Sequence, residues 1–133
     1  MTQSESILVV ALEGRVIGID IQTGQEQWRN EMHCGGIRHV ALCVTSDRVY
    51  ASASAKRFFC IDRQSGETIW ERMTQGMGRA TILVSPETIV VYKRGFVEAF
   101  DLNGDVRWTT KLKNAGKGAA ALGLGNNVTQ ADG

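Results

Sequence analysis

Proline is almost absent, at one residue against fifteen glycines in a chain of 133. That balance gives no proline-rich linker and suits short strands joined by tight turns. Neither sign of charge is in excess, with 15 Lys and Arg against 14 Asp and Glu. Overall charge therefore names no partner, and only its distribution could. Long apolar runs are missing too. The first run, Ile7–Leu12, breaks at Glu13 and has no basic segment before it, which excludes a signal peptide and a membrane span there. Cysteine occurs three times, as Cys34, Cys43 and Cys60. An odd number without an export signal reads as free thiols in a cytoplasmic protein rather than a disulfide framework. By length the chain is one domain, and 43% hydrophobic content is ordinary for a packed core.

What is present is a phrase repeated three times. Gly18–Trp28 reads GIDIQTGQEQW, Cys60–Trp70 reads CIDRQSGETIW, and Ala99–Trp108 reads AFDLNGDVRW. Each is an apolar run ending in Asp, a polar turn closed by Gly, and a Trp four residues after that Gly. The third copy has one turn residue fewer. The tryptophans stand 42 and 38 residues apart, and a period near 40 is the mark of a repeat architecture. Around these phrases the apolar runs are short and bounded by turn residues, as in strands buried on both faces. Residues 1–6 are polar and read as a disordered N-terminus, 7–125 as the folded unit, and 126–133 as a tail.

The Asp…Gly…Trp phrase, with a small residue two before the Asp (Gly18, Cys60, Ala99), resembles the tryptophan-docking motif of pyrroloquinoline-quinone-type β-propeller repeats. The resemblance implies an all-β fold of four-stranded antiparallel blades, A to D from the axis outward. It also implies that Trp28, Trp70 and Trp108 wedge between blades. Asp20, Asp62 and Asp101 would then accept turn amides, and Gly24, Gly66 and Gly104 would close the turns. Laid out by blade position, the strands run B-C-D, A-B-C-D, A-B-C-D, and a final A over Ala119–Leu124. Three blades cannot close a ring, since propellers need about 4 to 8. Open flanks and edges invite association. The expectation is a homodimer forming one six-bladed ring, with terminal strands exchanged; its rival is that the chain is a piece of a longer propeller.

The same layout assigns loops to rims. The D-to-A and B-to-C connections gather Arg15, Arg38, Lys56, Arg57, Arg79, Lys93, Arg94, Lys113 and Lys117 on one side. Arg38, Arg79 and Lys117 each precede an inner strand, and in a six-bladed ring they would line the mouth of the central channel and draw an anionic ligand. Nucleic acid fits poorly, because no aromatics are interleaved with the cations to stack bases. His33, Cys34 and His39 match no zinc spacing. No serine or cysteine sits in a nucleophile motif, and no carboxylate pair is set apart. Quinoprotein dehydrogenases share the repeat but hold their cofactor with residues outside it, so the motif implies no cofactor here. The reading is a non-catalytic protein-binding platform. Its alternatives are a small-anion binder and a quinoprotein-like enzyme fragment.

Overall fold

The computed structural model of the chain describes residues 2–33, 39–53, 55–125 and 127–130, the last four by their backbone alone. Thirteen strands are present among the described residues, with no helix beyond a 3-10 turn at Ser4–Ser6. The first blade holds β1 (Ile7–Leu12), β2 (Arg15–Asp20) and β3 (Glu26–Asn30). The second holds β4 (Val40–Val44), β5 (Arg48–Ala53), β6 (Arg57–Asp62) and β7 (Thr68–Met73). The third holds β8 (Thr81–Val84), β9 (Ile89–Lys93), β10 (Phe96–Phe100) and β11 (Val106–Lys111). A two-stranded sheet follows, β12 (Ala121–Leu124) with β13 (Asn127–Gln130). Every pairing is antiparallel between chain neighbours, as two-residue and short-loop hairpins require.

Blade 2 explains why the strands read as continuous apolar runs. Along β5 and β6 alternate residues serve two cores. Val49, Ala51, Phe59 and Ile61 pack toward blade 1 with Ile7, Val16 and Trp28. Tyr50, Phe58 and Cys60 pack toward blade 3 with Trp70, Ile82, Val91 and Phe100. Both faces are covered, so neither can be polar. Phe58 is the centre of the second core, with its ring 5.5 Å from Trp70 and 5.3 Å from Phe100. Each such ring contributes roughly 1.5–3 kcal/mol by burial alone.

The small residue of each phrase has a clear reason. Gly18, Cys60 and Ala99 lie directly opposite Trp28, Trp70 and Trp108, and the ladder shifts register immediately afterwards in all three copies. A Cβ on Gly18 would lie 2.3 Å from the Trp28 ring, so the indole rests across bare backbone there. The extra residue, Gln27, Ile69 or Arg107, lies on strand D just before the Trp and kinks that strand as it leaves the turn.

Two expectations about the termini need correction. Residues 126–133 are not wholly a tail, because Asn127–Gln130 forms β13, paired with β12 from Ala121↔Gln130 to Leu124↔Asn127. The short run NVTQ carries one apolar residue and gives almost no strand signal, but the free edge of β12 offers it a ladder. The N-terminus is also not loose at residues 2–6. Ser4 Oγ donates to Ser46 O at 2.7 Å, Gln64 Nε2 to Gln3 Oε1 at 2.7 Å, and Arg63 Nη2 to Glu5 O at 3.4 Å. A consequence reaches the expected strand exchange. The edge of β12 that was to receive a second copy's Ile7–Leu12 is held by β13 in the single chain.

Gly66 supplies the first test. It has φ +78°, and an added Cβ would meet the Trp28 ring at 2.3 Å. Gly116 has φ +98° with open space around it. Gly116→Ala is expected to cost about 1–2 kcal/mol, the backbone penalty alone. Gly66→Ala should cost about 1–3 kcal/mol more, because the wedge must shift. Urea denaturation of the two variants checks this, and equal losses would contradict it.

Candidate functional site

The docking contacts are built identically at both internal joints. Trp28 is 8% exposed and Trp70 9%. Trp28 Nε1 donates to Arg63 O at 2.9 Å, and Trp70 Nε1 donates to Leu102 O at 3.2 Å. Each acceptor is the residue after the next blade's motif Asp. The indole faces then lie on Gly66 and Gly104 of that next blade, where a Cβ would approach to 2.3 and 2.8 Å. The residue two after the Trp adds a clasp. Asn30 Nδ2 donates to Gly66 O at 2.9 Å, and Arg72 Nε donates to Gly104 O at 2.9 Å while its guanidinium stacks on Trp70.

The aspartates make these sockets rigid. Asp62 Oδ1 accepts from Gln64 N and Ser65 N, both at 2.9 Å, and these amides, Ser65 foremost, hold its carboxyl below the usual range. Asp20 Oδ1 accepts from Gln22 N at 2.8 Å. The shortened third turn keeps the device: Asp101 Oδ1 accepts from Asn103 N at 2.9 Å and Asp105 N at 3.0 Å, and Gly104 N reaches Asp101 O at 3.0 Å. Among the described residues one socket and one wedge are left over. Nothing lies within 4 Å of where a Cβ on Gly24 would be, and Trp108 is 48% exposed. Leu8, Leu12 and Ile21 are exposed at the first flank, and Val106, Leu112 and Leu124 at the other.

The basic rim divides by partner. Arg15 is paired with Glu31 at 3.0 Å, and Arg57 with Glu71. Lys93 is only 1% exposed and runs across the joint, its Nζ donating to Ala53 O at 3.1 Å and Ala55 O at 2.7 Å. Of the three channel-mouth candidates, Arg38 lies outside the described residues. Arg79 Nη2 donates to His39 Nε2 at 2.6 Å, which requires that ring nitrogen to be unprotonated. Lys117 instead lines a cleft of about 320 Å³ with Lys56, Arg94 and Lys111. The cleft also reaches Lys111 on the outermost strand, so Lys117 shares its surroundings with cations other than Arg79.

Three elements position Arg94, Lys111 and Lys117. Arg94 and Gly95, at φ +45° and +89°, form the two-residue turn between β9 and β10. Leu112 N donates to Gly95 O at 2.7 Å, fixing the end of β11 beside that turn. Tyr92 OH donates to Gly118 O at 2.7 Å and anchors the Lys117 loop. Phe96 lies opposite Lys111 in register, and the Lys111 ammonium sits 5.8 Å from its ring centroid. Lys111, Phe96 and Met77 were missed in the sequence reading, since only the ladder register and the stacking of blades bring them to the loops.

The perturbed titratable groups in the core are shifted toward inertness. Burial pushes the Cys60 thiol from its ordinary value of 9.0 up to about 11, and the Tyr50 phenol from 10.0 up to about 12. Both stay protonated at neutral pH. The His33, Cys34 and His39 spacing has its cysteine outside the described residues, and no metal-competent group of three acidic, histidine or cysteine side chains occurs among the described ones.

Residues 2–132 match the family described as outer membrane protein assembly factor BamB, whose repeat is of the pyrroloquinoline-quinone type. The chain belongs to the BamB family. It resembles BamB from Moraxella catarrhalis with a TM-score of 0.63 and 24% identity, over 80% of this chain and 33% of that one. The quinohemoprotein alcohol dehydrogenase of Comamonas testosteroni gives 0.66 and 21%, over 80% of this chain and 20% of that one. The computationally designed Ika8 protein gives 0.71 and 21%, over 95% of this chain and 40% of that one. In sequence the chain is 24% identical to the quinohemoprotein alcohol dehydrogenase ADH IIB of Pseudomonas putida, over 71% of this chain and 17% of the relative. The chain thus spans about a sixth of that curated relative and a third of the BamB structure. The β-propeller fold of the BamB family is common ground among them.

The buried thiol supplies a second test. A raised folded-state pKa contributes stability below the ordinary value, and that contribution is lost as pH rises through the folded value. Cys60 and Tyr50 therefore predict a melting temperature unaffected by these groups below pH 9.0 and falling from there through about 11 to 12. Cys60 should resist iodoacetamide at pH 8 and react in urea. Native-state alkylation mapped to Cys60 by mass spectrometry would contradict this reading.

Proposed function

We propose that the chain is a non-catalytic interaction module of the propeller type, working as a homodimer whose blades form one six-bladed ring. One observation supports this: among the described residues, one docking tryptophan, Trp108, lies without a socket and one socket, at Gly24, lies without a tryptophan. Trp108 and Thr110 stand where Trp28 and Asn30 stand at a finished joint. Gly24 and the Ile21 carbonyl stand where Gly66 and the Arg63 carbonyl stand. Two-fold docking satisfies both joints with the contact the chain already uses twice. Closure also has β12 complete a second copy's first blade, with Ile7–Leu12 replacing Asn127–Gln130 on its edge. That swap puts an apolar strand where a polar one was, and burial favours it.

A ring of this kind offers a rim and a channel to a protein partner. Sedimentation equilibrium of the full chain should give twice 14.5 kDa at micromolar concentration. Trp108→Ala and Gly24→Ala should each dissociate it, while Gly116→Ala should not. A folded wild-type monomer would overturn the dimer. Turnover of an alcohol after addition of pyrroloquinoline quinone would instead favour a dehydrogenase-like role.

A further inference from the structure

We infer that the rim cleft between blades 2 and 3 is a binding site for a small organic phosphate. Lys56, Arg94, Lys111 and Lys117 converge on it from four separate segments, two blade turns, one outer strand and one inter-blade loop. None of the four is in an ion pair among the described residues. The contrast with their neighbours decides the point, since Arg15 and Arg57 on the same rim have carboxylate partners. A shared cleft of unneutralised cations repels itself, and a bound polyanion relieves that repulsion.

Charge and shape narrow the ligand. A single carboxylate leaves most of the positive charge uncompensated, whereas a phosphate group carries about −1.5 to −2 and three strong acceptor oxygens. Arg94 offers a planar fork to two of those oxygens, and the three lysines act as point charges around it. Phe96 and Met77 give the same cleft an apolar wall, which suits the organic body of the ligand. The volume of about 320 Å³ is at the small end for ligand sites, enough for a phosphate and one ring. The phosphate could arrive on a free metabolite or on a phosphorylated side chain of a partner protein, and the chemistry recognised is the same. The site lies within one chain and does not depend on the ring being closed.

Calorimetric titration of the full chain with pyrophosphate, phenyl phosphate, citrate and a phosphoserine hexapeptide tests the inference. Saturable binding of pyrophosphate and phenyl phosphate is expected at one per chain, in wild type and in Trp108→Ala alike. Lys56→Gln and Lys111→Gln should each weaken both by roughly five- to ten-fold. Met77→Ser should weaken phenyl phosphate alone. Lys113→Gln, a rim cation outside the cleft, should leave affinity unchanged. Tighter binding of the hexapeptide than of phenyl phosphate would assign the phosphate to a protein, and the reverse to a metabolite. No saturation by either small phosphate, binding of citrate as tight as theirs, or equal weakening by Lys113→Gln would overturn the site.

Discussion

Everything in this molecule hangs on an indole laid over a glycine. A propeller blade is a short, twisted sheet with two apolar faces, and it has no stability until both are covered. Trp28 and Trp70 do the covering at each joint and also fix its geometry, because the indole N–H must reach one particular carbonyl, Arg63 O or Leu102 O. The glycine has to be bare and in the left-handed region, and the aspartate has to hold the turn still. Three residue types at fixed spacing therefore encode a contact between blades some 40 residues apart.

That constraint settles where everything else can go. With strand C feeding the socket and strand D carrying the wedge, the turns of the motif occupy one side of the fan. The inter-blade loops are left to the other side. Arg63 crosses from the motif turn to hold Thr45 O at 2.8 Å and Ile7 O at 3.0 Å, tying blade 1 to blade 2 on the socket side. Lys93 does the corresponding work on the loop side. A fully buried ammonium is tolerable only with its hydrogens satisfied, and the Ala53 and Ala55 carbonyls satisfy two of them. Lys56, Arg94, Lys111 and Lys117 are not consumed in this way and line the loop-side cleft.

Much of the fold was legible because the motif is local and the strands are short. β1 has the bounds its apolar run suggested, Ile7–Leu12, and the three phrases lie at the C-to-D turns they implied. The reading stopped where pairing overrides composition. Asn127–Gln130 looks like a tail, yet it becomes a strand because an edge is available. The site was legible in sign but not in place. A basic rim could be read from loop positions, but Arg15 meets Glu31 and Arg57 meets Glu71 through ladder register. Lys56 and Lys111 converge only after two blades have stacked. The family match places this chain among BamB-like propellers and gives the fold, whereas the loops that carry function are where such repeats differ.

Hydrogen exchange of the three indole N–H groups, followed by NMR on the full chain, tests the docking principle directly. The Trp28 and Trp70 protons should be protected to the level of global unfolding, because each is committed to a carbonyl at the centre of a joint. The Trp108 proton should match them at high protein concentration and lose its protection on dilution. Rapid exchange at Trp28 or Trp70, with the rest of the sheet still protected, would show that the blades are held together by something other than these wedges.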